Sequence, residues 1–313
     1  MTANTAIAKD VIAEEILAGL QSEAKTISPK YFYDQRGSAL FDEITTLDEY
    51  YVTRTEQAII NDCRDEICTT VGGGANIIEP GAGSCEKIRW LLPDLAPRSY
   101  VPMDISAEHL RACAAKLREE FPDLRVRPQV GDHTNSLRLA DDLPAAPAVF
   151  FYPGSSIGNY TPSAAADFMA RMRAQMGSDG GLLIGVDSKK PASVLNAAYN
   201  DRRGVTARFN INMLEHINRL LDGTLIADYF EHLAFYNEER GRIEMHLRCT
   251  HDHTATLAGE TVEFAAGETI HTESSYKYYP EEFAELAAES GLALQALWQD
   301  DRRWFSLLYL TPA

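Results

Sequence analysis

Three observations predict an α/β fold with a doubly wound parallel sheet. Short apolar runs alternate with helical stretches between residues 75 and 187, the alternation breaks after Asp187-Ser-Lys-Lys-Pro191, and it returns at Pro280. The break marks an inserted second domain of α+β character. On these boundaries residues 54–189 and 277–313 form a discontinuous first domain, and residues 1–53 and 190–276 form the second. A chain of 313 residues is long enough for both to bury a core.

Taken in order, residues 10–24 carry Val11, Ile12, Ile16, Leu17 and Leu20 at helical spacing, and an aromatic stretch follows from Lys30 to Glu56. Most of its rings are expected to pack between a helical arm and the main domain. A helix from Glu56 through Ile59, Ile60 and Ile67 is stopped by Gly72-Gly-Gly74. The first strand, Ala75-Asn-Ile-Ile-Glu-Pro80, ends on Gly81-Ala-Gly83 and is expected to lead into a helix at Ile88-Arg-Trp-Leu-Leu92. Val101–Asp104 ends a second strand, a helix covers 107–120, and Val126–Val130 reads as a third strand. Ala148–Tyr152 is the fourth; Thr161 then caps a helix with Pro162 in its first turn and Gly177 beyond its end. Leu182–Val186 is the fifth. Residues 193–221 read as helical and 229–271 as containing strands, and a helix at 280–290 precedes strands near 292–298 and 304–310.

Composition narrows the function classes. Asp and Glu number 46 against 29 Lys and Arg, a net charge of −17 that repels polyphosphate and argues against DNA or RNA as substrate. A cationic or zwitterionic small molecule suits it better. No apolar run reaches the ~20 residues of a membrane span, and the first ten residues lack the features of a signal peptide, so a cytoplasmic location is expected. Five cysteines without paired short spacing suggest neither a disulfide framework nor a four-thiolate zinc site. Cys249 with His251-Asp-His253 alternates along a possible strand, but it reads as a hairpin end without a fourth ligand, and no metal is expected.

The chemistry converges on the carboxyl ends of the strands, where ligands bind in doubly wound folds. Glu79, Asp104, Asp132 and the loop 153–159 all fall there. Gly81 and Gly83 allow a tight turn that approaches a ligand, though such a turn also occurs as a plain strand-to-helix connection. Asp104 follows Gly81 by 23 positions, the separation at which an acid accepts bonds from ribose hydroxyls. In a dinucleotide fingerprint the sixth position of GxGxxG is Gly or Ala; here it is Glu86, whose charge opposes a pyrophosphate. S-adenosylmethionine has no phosphate and carries a sulfonium. It suits this set, with the turn's backbone for its amino-acid part, one acid for the ribose and one for the adenine amine, and the pattern resembles the class I methyltransferases, with their Rossmann-like sheet.

The fourth strand end reads Tyr152-Pro-Gly-Ser-Ser-Ile-Gly-Asn-Tyr160, unlike the Asn/Asp-Pro-Pro-aromatic of enzymes that methylate amides or base amines. Together with Tyr31–Ile44, Glu49-Tyr-Tyr-Val-Thr-Arg-Thr-Glu56 and Thr272-Glu-Ser-Ser-Tyr-Lys-Tyr278, it resembles the histidine-specific Nα-methyltransferases of ergothioneine biosynthesis. The resemblance runs from about residue 28 to the C-terminus and implies three methyl transfers from S-adenosyl-L-methionine to the α-amine of L-histidine. The products would be hercynine and S-adenosyl-L-homocysteine, formed in a pocket between the two domains. It further implies that Asn159 and Tyr199 act catalytically by holding the α-carboxylate and α-amine, with Gly154 allowing close approach. Glu273 and Ser275 would bind the imidazole, helped by Tyr50, and Met245 would line the pocket. On the cofactor side it implies Gly81, Lys87, Asp104 and Asp132, with His133 beside them and Tyr33 and Phe41 near the charged end. The chain departs from the family pattern at Val52, Pro80, Cys85, His133 and Tyr152-Pro153. A monomer acting on a small molecule is expected, with neither nucleic acid nor membrane as partner.

Overall fold

The computed structural model describes residues 3–133 and 137–313, which divide into two compact units: residues 1–51 with 190–275, and residues 52–189 with 276–313. In chain order the helices and strands are α1 Ala3–Gln21, α2 Gln35–Thr45, α3 Val52–Asp62, α4 Arg64–Val71, β1 Asn76–Pro80, α5 Leu92–Leu95, β2 Ser99–Asp104, α6 Ala107–Glu120, β3 Gln129–Val130, β4 Ala148–Tyr152, α7 Pro162–Met176 and β5 Gly181–Asp187. Then follow α8 Ala192–Tyr199, α9 Val205–Leu221, β6 Phe230–Asn237, β7 Arg242–Cys249, β8 His253–Leu257, β9 Glu260–Phe264, β10 Thr269–Tyr276, α10 Pro280–Ala288, β11 Leu292–Gln299 and β12 Phe305–Pro312.

The unit of residues 52–189 with 276–313 is the doubly wound α/β domain. Its sheet runs β11-β12-β5-β4-β1-β2-β3, parallel from β3 to β5, with β12 antiparallel to both β5 and β11. Strand β1 lies between β2 and β4, so the chain order reverses there and the crevice for a ligand opens beyond their carboxyl ends. β1, β4 and β5 are buried along their whole length, as strands covered on both faces must be. One side of the sheet packs Ile78, Phe150 and Ile184 against Phe168, Met172 and Phe283.

Proline explains where the observed elements fall short of the sequence reading. The helix expected at 88–92 is a 3₁₀ turn, Lys87–Trp90, followed by the four-residue α5. Pro93 has no N–H to give the carbonyl of Arg89, so a continuous helix cannot form. The third strand is also shorter than 126–130. Pro128 interrupts it, leaving an isolated bridge between Val126 and Tyr100 and a ladder only at Gln129 and Val130. The helix from Glu56 is two helices that meet at Cys63, the second closed by Gly72 at φ 79°.

The other unit has a three-stranded sheet, β10-β7-β6, and the hairpin β8–β9. Helix α9 supplies its apolar stripe, including Phe209, Met213 and Ile217, and β7 contributes Ile243, Met245 and Leu247 to the buried core. Asp34 caps α2 by accepting from the Gly37 N–H at 2.6 Å and is also ion-paired to Arg219 of α9.

Candidate active site

In the doubly wound unit, the turn after β1 takes its shape from three left-handed residues: Gly81 at φ 69°, Gly83 at 50° and Cys85 at 55°. Its backbone is tied to β2. The Ala82 N–H donates to the Met103 carbonyl at 2.9 Å, and Gly83 donates to Asp104 Oδ2 at 3.1 Å. The other carboxylate oxygen, Oδ1, takes the Ser106 N–H at 2.9 Å. Asp104 is thus fixed at the mouth of the crevice by two backbone donors. Beside it, the His133 ring lies over Gly81, where a Cβ would come within 3.3 Å of it, and burial lowers the His133 pKa, which keeps the ring neutral. Asp132 is half-buried at the end of β3.

Lys87 and Gly154 meet on one carboxylate that sequence reasoning had passed over. Glu56 of α3 is fully buried; its Oε2 accepts from Lys87 Nζ at 2.7 Å and its Oε1 from the Gly154 N–H at 2.7 Å. A signal was present, since Glu56 falls in the buried stripe of α3 with Val52, Ile59 and Ile60. An acid on the apolar face of a helix needs a partner. Gly154 sits at φ 78°, and a Cβ there would lie 2.6 Å from Lys87 Nζ, so the lysine accounts for this glycine. Asn159 ends the following 3₁₀ turn, and its side-chain amide makes no hydrogen bond to another described residue.

Glu79 does not belong with the acids that face the crevice. It is buried within β1 and accepts from the Tyr100 hydroxyl. Burial, reinforced by the nearby Glu56 carboxylate, pushes its pKa up to about 8 against the opposing effects of Tyr100 and Lys87. At neutral pH its protonated form therefore predominates.

In the inserted unit the structure brings three expected residues into one aromatic cluster. Tyr33 and Phe41 have ring centroids 5.7 Å apart, Phe41 and Tyr50 6.4 Å, and Phe209 of α9 lies within 6.0 Å of both Tyr33 and Phe41. Tyr33 is 43% exposed at the edge of this cluster. Tyr199 ends α8, and its carbonyl accepts from His232 Nε2 at 2.9 Å. That bond leaves His232 Nδ1 as the acceptor for the Asn210 amide, also at 2.9 Å, and Asn210 Oδ1 accepts from the Thr272 hydroxyl at 2.8 Å. A buried network therefore runs from Tyr199 to the residue before Glu273. The Thr272 hydroxyl also lies 3.1 Å from the Met245 carbonyl, a second acceptor for its single hydrogen, which places positions 199, 245 and 273 on one frame. Glu273 and Ser275 are buried and, two apart on β10, share a face of that strand. Asp201, just past Tyr199, caps α9 through the Val205 and Thr206 N–H groups at 2.9 and 2.8 Å. Burial alone would raise its pKa; these donors more than offset that and hold it below the ordinary carboxylate value.

Among the described residues, no group of three or more His, Cys, Asp and Glu side chains is arranged to hold a metal ion. Cys249 Sγ donates to the His251 carbonyl, and the His253 ring stacks on Phe264 at 5.0 Å.

A family model described as histidine-specific, SAM-dependent methyltransferase matches residues 12–312. The chain belongs to this family. It is 38% identical over 306 residues to the Histidine N-alpha-methyltransferase of Mycolicibacterium smegmatis, covering 96% of this chain and 94% of that protein. Against the Histidine N-alpha-methyltransferase of Mycobacterium tuberculosis it is 36% identical over 303 residues, covering 95% and 93%. The Ergothioneine biosynthesis protein 1 of Neurospora crassa is 30% identical over 281 residues, 85% of this chain and 31% of that longer protein. S-adenosylmethionine is the cofactor of this methyltransferase family, and the crevice fits it. Space is open around Gly83, where an added Cβ would meet nothing within 4 Å, and the Asp104 carboxylate stands beside that glycine.

Proposed function

We propose that this chain transfers three methyl groups in succession from S-adenosylmethionine to the α-amine of L-histidine, giving hercynine, within ergothioneine biosynthesis. The observation that carries this reading is the extent of the family match. It spans both units, and so includes the strand with Glu273 and Ser275 as well as the cofactor fold that methyltransferases share. The cofactor supplies an electrophilic methyl on a positively charged sulfur that leaves as a neutral thioether. The protein's part is to bind and orient, because a nitrogen held ~3 Å from the methyl carbon and in line with the C–S bond needs no further activation than loss of its proton.

In this reading Asp104 accepts from the ribose hydroxyls, Asp132 and His133 meet the adenine, and Gly81 and Lys87 take the amino-acid end, with Tyr33 and Phe41 beside the sulfonium. Asn159 and Tyr199 hold the α-carboxylate and α-amine. That the Asn159 amide has no hydrogen-bond partner among the described residues supports that role, and the network behind Tyr199 supports a fixed backbone there. Glu273 and Ser275 receive the imidazole, with Tyr50 and Met245 alongside. A carboxylate that accepts from an imidazole N–H favours histidine over Phe and Leu, whose side chains offer it no donor. The five cysteines are all free thiols, which supports a reducing cytoplasm, and the charge of −17 supports a monomer through self-repulsion. Among the described residues no helix is long and apolar enough to cross a membrane.

The test is methyl transfer to His, Phe and Trp by wild type and by Glu273→Ala, with products resolved by mass. Loss of a hydrogen bond to a charged group is worth ~1.5–3 kcal/mol, so kcat/KM for histidine should fall roughly ten- to a hundredfold while the apolar amino acids gain relative to it. A wild type that ignores histidine would move the reading to another amine.

A further inference from the structure

We infer that Glu56 is a positioning residue that serves both halves of the reaction, orienting Lys87 toward the cofactor and fixing the loop that carries Asn159 toward the substrate. The inference rests on the roles proposed above for those two residues.

Three features of the doubly wound unit are shaped around this one carboxylate. Its Oε2 holds Lys87 Nζ, and its Oε1 holds the Gly154 N–H, both at 2.7 Å. Gly185 of β5 completes the enclosure, because a Cβ there would lie 2.3 Å from Oε1. A side chain at 185 would displace the carboxylate, and one at 154 would displace the lysine.

The two bonds do different work. An ammonium has three N–H donors in a rotating head, and one strong acceptor fixes the direction of the remaining two. The Lys87 side chain is 24% exposed, whereas its partner is fully buried. The Gly154 bond acts on the loop after β4. Gly154 and Ser155 are both left-handed, at φ 78° and 58°, and Ser155 Oγ accepts from the Asp187 N–H at 2.9 Å. With the first residue of the turn pinned by Glu56 and the second by β5, the path to Asn159 is a single 3₁₀ turn.

Substitutions separate the two bonds. In Glu56→Gln the amide oxygen can still accept from Gly154, but the amide NH₂ faces a cation it cannot pair with. Glu56→Ala removes both acceptors. S-adenosylhomocysteine affinity is measured by calorimetry, histidine KM and kcat at saturating S-adenosylmethionine, and folding by circular dichroism. Glu56→Gln should weaken S-adenosylhomocysteine roughly tenfold and leave histidine KM within about threefold, the same pattern as Lys87→Met. Combined with Lys87→Met, Glu56→Gln should add less than about twofold to the loss, because the residue it acts through is gone. Glu56→Ala should weaken S-adenosylhomocysteine and also raise histidine KM roughly tenfold. Should the alanine variant fail to fold, Glu56→Met fills the same volume without either acceptor and carries the same test. The inference is overturned by unchanged S-adenosylhomocysteine affinity in Glu56→Gln, by additive losses in the double variant, or by unchanged histidine KM in the folded Ala or Met variant. Cofactor affinity is read without turnover, so failure here is distinct from failure of histidine methylation, which the wild-type assay reports.

Discussion

Replacing Glu79 with Gln tests whether this acid is protonated in the folded protein, as its burial requires. The side chain lies within β1, accepts from the Tyr100 hydroxyl, and has its pKa moved by burial from an ordinary 4.5 to about 8. Below 4.5 the folded and unfolded chains both hold the proton, and the site imposes no penalty. Between 4.5 and 8 the folded protein keeps a proton that the unfolded chain has lost. Unfolding then releases a proton, and stability falls as pH rises. Above 8 both states are ionised and the full penalty persists. Each tenfold change in proton affinity is worth about 1.4 kcal/mol, so the displacement corresponds to a loss on the order of 5 kcal/mol between pH 4.5 and 8. Gln has the shape of the protonated acid and does not titrate. In urea unfolding at pH 5 to 9, Glu79→Gln should match wild type within about 1 kcal/mol at pH 5 and exceed it by several kcal/mol at pH 9. At pH 7 its affinity for S-adenosylhomocysteine should stay within about twofold, since the wild-type side chain is mainly protonated there. Stability curves that run parallel across this range would refute the assignment, because they would show Glu79 titrating alike in both states.

Asp104→Ala should weaken S-adenosylhomocysteine by about 2 kcal/mol or more, the scale of a lost charged acceptor, and unchanged affinity in calorimetry would remove Asp104 from the cofactor site. Asp104→Asn, which keeps an acceptor for the Gly83 N–H but loses the charge, should lie between Ala and wild type. Asn159→Ala should raise histidine KM roughly tenfold with S-adenosylhomocysteine affinity nearly intact, and equal loss of both ligands would mean that the loop is structural.

Local signals carried the elements that the sequence made legible. Thr161, Pro162 and Gly177 bracket α7, and the Thr161 hydroxyl accepts from the Ala164 N–H as a cap should. The apolar run 148–152 is β4 without adjustment, because a strand buried on both faces is continuous in sequence. Pro93 and Pro128 are equally visible in the sequence; each removes one N–H where the periodicity would otherwise continue. The candidate site was less legible. Positions such as 104 and 159 stand out because motif spacing exposes them, whereas Glu56, Asn210 and His232 act through partners 98, 62 and 33 residues away. Only a polar residue in an apolar stripe betrays them, and that pattern says a partner exists without saying which.

The acids around the strand ends, three on strands or just past them and Glu56 on α3, look alike in sequence, and the structure gives them unlike electrostatic roles. Glu56 is neutralised by Lys87, and Glu79 keeps its proton through burial. Asp104 and Asp132 remain, half-buried at the ends of β2 and β3, with the neutral His133 beside them. The negative potential is therefore concentrated on the side of the crevice where β2 and β3 end, and the side formed by β1 and β4 is close to neutral. S-adenosylmethionine has a matching division. Its ribose and adenine offer hydroxyl and amine donors to acids, and its amino-acid end carries a carboxylate that four ionised acids would repel. Had Glu56 and Glu79 both been charged and exposed, Lys87 would have been outnumbered at the end that the proposed reading gives to that carboxylate. Burying both, one paired and one protonated, leaves no net negative charge there to repel a carboxylate.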